Sequence, residues 1–126
     1  MKSQTPLLYL ILFFFVILNG CFVIFEQDLS MQEMKILMPF DGQHTTQVHQ
    51  TFWWEQVEGA IWYNIQILKP EFIHPEELIA DTSIMGNKFV ITLSPGEYEW
   101  CVMARNNFST TDCIIHKLII LDTSDK

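Results

Sequence analysis

Hydrophobic and polar positions change rhythm once along this chain, near residue 26. Residues 7–25 are apolar almost without a break, LLYLILFFFVILNGCFVIF, interrupted by Asn19, Gly20 and Cys21 alone. From Met34 onward, apolar residues alternate with polar ones in short runs divided by Gly, Pro, Asn and Asp, which is the period of an antiparallel sheet with one buried face. Amphipathic-helix spacing is absent from this part. The alternation predicts seven strands. The first covers residues 34–38, stopped by Pro39 and the pair Asp41-Gly42. Residues 48–55 follow with Phe52 and Trp54 on one face, then 61–68 with Tyr63, Ile65 and Ile67 on one face. Shorter strands are expected at 78–81 and at 88–93, the latter presenting Phe89, Ile91 and Leu93. Ser94-Pro95-Gly96 makes a tight turn into 97–105, with Tyr98, Trp100, Val102 and Ala104 inward, and 113–121 closes the sheet. Phe72, on the loop from Pro70 to Pro75, is expected to plug the core. The predicted class is all-β, a seven-stranded antiparallel β-sandwich over residues 34–122, preceded by an N-terminal hydrophobic helix and followed by a tail at 123–126.

The apolar run sets the expected address. Its first 12 residues, 7–18, suit the apolar core of a signal peptide; all 19, through Phe25, come close to a membrane span. A buried helix of a soluble protein conflicts with a run apolar on every side behind a positive charge. Leu18-Asn19-Gly20-Cys21 resembles the lipobox of bacterial lipoproteins, with Leu18, Gly20 and Cys21 matching and Asn19 departing from the usual small residue. That resemblance implies cleavage before Cys21 and lipidation of its thiol. Residues 1–20 are thus a lipoprotein signal peptide or the start of a signal anchor, and 21–33 a lipidated cysteine and tether. Both readings send the domain across the membrane, because Lys2 precedes the run and the next positive residue is Lys35. The tether from Glu26 to Gln32 spans at most about 3.3 Å per residue, so the domain stays close to the bilayer.

Charge and cysteines narrow the picture. The chain carries 7 Lys+Arg against 15 Asp+Glu, a formal net charge of -8. An acidic body has no attraction for phosphate backbones, which excludes nucleic acid as a partner class. Cys101 and Cys113 flank Asn106-Asn107, and a hairpin centred near Asn107 sets them opposite each other. They are candidates for a disulfide in an exported domain, or else remain two thiols.

Phe52-x-Trp54, Val57-Glu58-Gly59-Ala60 with Tyr63-x-Ile65, and Leu93-Ser94-Pro95-Gly96-Glu97-Tyr98-Glu99-Trp100-Cys101-Val102-x-Ala104 together resemble the signature of fibronectin type III-like domains in bacterial envelope proteins. The resemblance covers residues 35–121. It implies a tyrosine corner at Tyr98, whose hydroxyl bonds back to the preceding turn. Met103 stands where the family usually has arginine, so that arginine's contacts do not carry over.

Catalytic motifs are missing: there is no Gly-x-Ser-x-Gly, no Gly-rich phosphate loop and no Cys-x-x-Cys. His44, His49, His74 and His116 are scattered, and no metal or cofactor is expected. Glu76-Glu77 and Glu97/Glu99 read as solvent-facing positions. Asn107-Phe108-Ser109 matches a glycosylation acceptor but reads as a turn in a bacterial setting. Binding has a candidate face: alternation turns Trp53 and Trp62 outward, with Asn64, Gln66 and Met103 beside Trp62. An exposed indole near Met suits a protein partner, and one flanked by amides suits stacking on a sugar. The expectation is a membrane-anchored, non-enzymatic protein of the bacterial cell envelope, its exported β-domain serving as an interaction or structural module. The alternative is a carbohydrate-binding accessory lipoprotein of a glycan uptake system.

Overall fold

Apolar residues turned inward from both sheets build the sandwich. In the computed structural model, which describes residues 26–124, the strands are β1 (Ile36–Met38), β2 (Gln43–Thr45), β3 (His49–Trp54), β4 (Trp62–Lys69), β5 (Glu77–Ile84), β6 (Lys88–Thr92), β7 (Gly96–Arg105) and β8 (His116–Ile120). They form a three-stranded sheet of order β1-β3-β6 and a five-stranded sheet of order β2-β8-β7-β4-β5. Phe52 and Trp54 of β3 face Tyr63, Ile65 and Ile67 of β4, Tyr98, Trp100, Val102 and Ala104 of β7, and Leu118 and Ile120 of β8, all buried. Phe52 meets the edge of Trp100 with ring centroids 4.7 Å apart and planes at 77°, an arrangement the ring quadrupoles favour. The inward residues expected on the second, third and sixth strands are those found inside.

Among the described residues eight strands form rather than seven, and one pair is parallel. After β1 pairs with β3, the chain crosses to the other sheet through Pro39-Phe40-Asp41-Gly42, and β2 pairs parallel to β8. Gly42 makes the crossing with φ +82°, a region a side chain disfavours. Its N–H donates to the Lys117 carbonyl (2.8 Å), and the Lys117 N–H donates to the Asp41 carboxylate (2.7 Å). β2 reads Gln-His-Thr and is held by backbone bonds, so no apolar alternation marks it. β5 extends to Ile84 because its ladder with β4 continues past a bulge at Ile67/Leu68. β8 starts at His116, not at Cys113, because the β7–β8 ladder ends at the Trp100–His116 pair.

Two segments change role. Phe72 does not enter the core: it is half-buried, and its N–H donates to Glu99 Oε1 (2.9 Å) on the five-stranded sheet. The plug comes instead from the expected tether, where Leu29 is fully buried in the core cluster. The expected N-terminal hydrophobic helix and Cys21 lie outside the described residues.

Candidate functional site

The segment leading out of the apolar run is fastened to one pole of the sandwich. Asn106, buried just past the end of β7, donates from Nδ2 to the carbonyls of Gln27 (2.6 Å) and Gly59 (3.3 Å). Its Oδ1 accepts from the backbone N–H groups of Phe108 (3.2 Å) and Ser109 (2.9 Å) and from Ser109 Oγ (2.8 Å). Ser109 Oγ in turn accepts from the Leu29 N–H (3.0 Å), and Gln32 Nε2 donates to the Glu58 carbonyl (3.3 Å). Gly59 has φ +87°, and a Cβ there would come within 2.7 Å of Gln27 Cβ. Both the turn and the docked segment therefore require glycine at this position. Further out, the Asn107 N–H donates to the Glu26 carboxylate (3.4 Å). Phe108 and Met31 remain on the outside, 62% and 89% exposed.

Cys101 and Cys113 are joined, with Cα atoms 5.4 Å apart and a sequence separation of 12. They are not opposite positions of a hairpin, because Cys101 on β7 faces Gln66 on β4 and Cys113 lies in the loop before β8. That loop doubles back along β7: the Ala104 N–H donates to Thr111 Oγ1 (2.9 Å), and the Thr111 N–H donates to the Ala104 carbonyl (3.0 Å). Cys101, on the outer face of its sheet, is fully buried beneath this cover.

The candidate binding residues fall on two surfaces. Trp62, Asn64 and Gln66 of β4 lie opposite Arg105, Met103 and Cys101 of β7, so Trp62, Asn64, Gln66 and Met103 share the outer face of the five-stranded sheet. Trp53 sits on β3 in the other sheet, opposite Lys88, whose ammonium lies 4.8 Å from the indole centroid. Successive residues of a strand point to opposite faces, so Trp53 lies outward while its neighbour Trp54 is buried. Asn64 is only 7% exposed, and its amide donates to Asp81 Oδ1 (3.1 Å) and the Thr82 carbonyl (3.3 Å). Of the polar residues beside Trp62, Gln66 is the one with no hydrogen bond to Asp81 or Thr82 among those described.

At the opposite pole the Tyr98 hydroxyl donates to the Ser94 carbonyl (2.6 Å), and the Lys69 ammonium lies 5.5 Å from the Tyr98 ring centroid. Beside it a shallow groove of about 220 Å³ is lined by Pro70, Glu71, Glu97, Glu99, Lys117 and Ile119 among others. The histidines are dispersed. His44 Nδ1 bonds with the Gly42 carbonyl (2.9 Å) and His49 Nδ1 with Thr92 Oγ1 (2.8 Å). Among the described residues no three His, Cys, Asp or Glu side chains group to hold a metal. His116 lies against Trp100 with centroids 5.0 Å apart. Burial there lowers its pKa below the usual histidine value, and the Asp41 charge opposes the shift.

Known structures share this architecture. The fibronectin(III)-like modules of Clostridium thermocellum CbhA are similar over 71% of this chain and 96% of theirs, with a TM-score of 0.51 and 10% identity. A structure described as FN3tt mut is similar over 68% of this chain and 88% of its own, with a TM-score of 0.47 and 16% identity. No family model matches the sequence, and no curated protein matches it significantly. The fold is that of a fibronectin type III-like sandwich, and at this identity the likeness concerns the fold alone.

Proposed function

We propose that this chain is an exported protein of the bacterial cell envelope, held at a membrane by its N-terminal run and displaying one fibronectin type III-like sandwich as a non-enzymatic interaction or structural module. The observation that carries the reading is the Cys101–Cys113 bond. Disulfides form and persist in oxidising compartments, and a bacterial periplasm or cell surface is one. The fold supports the module half of the reading, since fibronectin type III-like sandwiches are typically non-catalytic. The glycan-binding alternative ranks below it, because the Asn64 amide is already engaged by Asp81 and Thr82. Intact-mass analysis of the membrane-extracted protein tests the proposal. The expected product begins at Cys21 with added lipid, or retains its N-terminus as a signal anchor, and has no free thiol at Cys101 or Cys113. Recovery in the soluble cytoplasmic fraction with both thiols free would overturn it.

A further inference from the structure

The pole that receives the N-terminal segment differs from the rest of the surface in one respect: its distance from the apolar run is fixed. Leu29 is buried in the core, Gln27 is bonded through its carbonyl to Asn106, and Glu26 meets the backbone of Asn107. The apolar run ends at Phe25, one residue before Glu26. A residue spans at most about 3.6 Å, so no slack separates the end of the run from the Asn107-Phe108 turn. If the anchor is instead a lipid on Cys21, five peptide units reach Glu26, roughly 17 Å at full extension. Four of the residues on that path, Phe22 to Phe25, are apolar and favour the lipid boundary themselves. Phe108 is 62% exposed on this turn.

We infer that this pole is a lipid-contacting surface, with Phe108 seated in the headgroup–acyl boundary of the bilayer that holds the N-terminal run. The inference rests on the proposed membrane anchoring and adds an orientation to it: the sandwich stands on its Asn106–Ser109 pole. Aromatic and apolar side chains gain free energy by burial a few ångströms into that boundary. Met31, 89% exposed at the tip of the turn closed by the Gln32 N–H and the Leu29 carbonyl, belongs to the same docked segment. Depth is limited by charge. Glu26, Asp28 and Glu58 surround the pole, and hydrogen bonds from Ser30 keep the Asp28 carboxyl below its ordinary pKa. These carboxylates stay in the headgroup water, so side-chain tips enter and the backbone does not.

The test uses the full chain in vesicles of phosphatidylethanolamine and phosphatidylcholine whose acyl chains carry bromine near the headgroup end. Phe108→Trp places a fluorophore at the pole. Ile73→Trp is the control, because Ile73 is also exposed (78%) but lies on the loop beyond the far end of β4, about 25 Å away along a strand of eight residues. The expected result is that the emission added by Phe108→Trp is blue-shifted and mostly lost to the brominated lipid, while that added by Ile73→Trp is unaffected. Retention of the chain on the vesicles with neither signal quenched would overturn the orientation and leave the anchoring intact. Equal quenching of both would overturn it as well, since it would mean the domain lies on its side or tumbles at the surface. Failure of the chain to float with vesicles would remove the anchoring and this inference together. Both substitutions replace exposed residues, and unchanged unfolding midpoints confirm that each variant folds.

Discussion

The two ends of β7 are held by different kinds of interaction. At its start the chain turns through Ser94-Pro95-Gly96, and the Tyr98 hydroxyl bonds to the Ser94 carbonyl four residues back (2.6 Å). At its end the chain leaves Arg105 for a long excursion tied down by distant parts of the sequence. Asn106 bonds to Gln27, 79 residues away (2.6 Å), Leu29 reaches Ser109 across 80 residues (3.0 Å), and Cys113 is bonded to Cys101. A local turn folds with few neighbours in place. The other end is completed only when a segment from the front of the chain has docked, so removing that segment should loosen one end of β7 and spare the other.

The largest effect should come from the segment that crosses over. Leu29→Ala removes a fully buried side chain and is expected to cost about 3 kcal/mol of stability in urea denaturation, from lost transfer free energy and the cavity left behind. Hydrogen exchange should rise at Asn106–Ser109 and stay low at Ser94–Tyr98. A loss well under 1 kcal/mol would mean that the 26–32 segment is an ornament and that the two ends of β7 are equally self-sufficient. Next comes the disulfide. With its cysteines 12 positions apart in sequence, the chain-entropy argument gives about 3 kcal/mol, with strain and residual structure able to reduce it. A reducing agent should therefore lower the unfolding midpoint of the wild-type domain and leave that of the double variant Cys101→Ser/Cys113→Ser unchanged. An equal response from both would detach the bond from stability.

The same contrast explains what could be read from the residues alone. In β3, β4 and β7 the inward positions Phe52/Trp54, Tyr63/Ile65/Ile67 and Tyr98/Trp100/Val102/Ala104 are all apolar or aromatic and recur at every second residue, so the period points to one buried face. The Ser94-Pro95-Gly96 turn was legible because all its parts lie within a few residues, while the Tyr98 bond was implied by the fibronectin type III-like resemblance. β2 was hidden, since Gln43-His44-Thr45 takes its place through parallel backbone pairing with β8. Leu29 was hidden because one apolar residue between Asp28 and Ser30 looks like tether, and the bonds that fasten its segment come from residues distant in sequence, Asn106 and Ser109 among them. The candidate binding face was half legible: alternation turns Trp53 and Trp62 outward, but a single strand's pattern does not say which sheet it joins, and they join different ones.

A smaller effect is expected at the local end. Tyr98→Phe keeps the ring, which is buried, and removes only the hydroxyl that donates to Ser94. The net worth of such a bond is about 1 kcal/mol. The neighbouring Ser94 Oγ, 3.1 Å from the Tyr98 oxygen, can take over part of the loss. Thermal unfolding should show a modest decrease, with increased exchange confined to the Ser94–Gly96 turn. A decrease as large as that of Leu29→Ala would show that the corner organises the whole strand and that the contrast between its ends is misdrawn.

The smallest effect concerns acid. His116 opens β8 where the excursion returns to the sheet, and it stacks on Trp100 midway along β7. Burial lowers its folded pKa below 6.5, with the Asp41 charge opposing. A base whose pKa is lower in the folded state binds fewer protons there than in the unfolded chain, so stability rises with pH across the interval between the two values. Above 6.5 the imidazole is neutral in both states and contributes no slope. As pH falls below 6.5 the unfolded chain takes up its proton first, stability declines, and the decline levels off once the folded pKa is passed. His116 is only partly buried, so the slope should be shallow. Unfolding midpoints between pH 7.5 and 4.5, compared for wild type and His116→Gln, should diverge only below 6.5, with the wild type losing more. Parallel curves would show that His116 is solvated alike in both states, and the excursion's return to β7 would then carry no acid sensitivity that the Tyr98 end lacks.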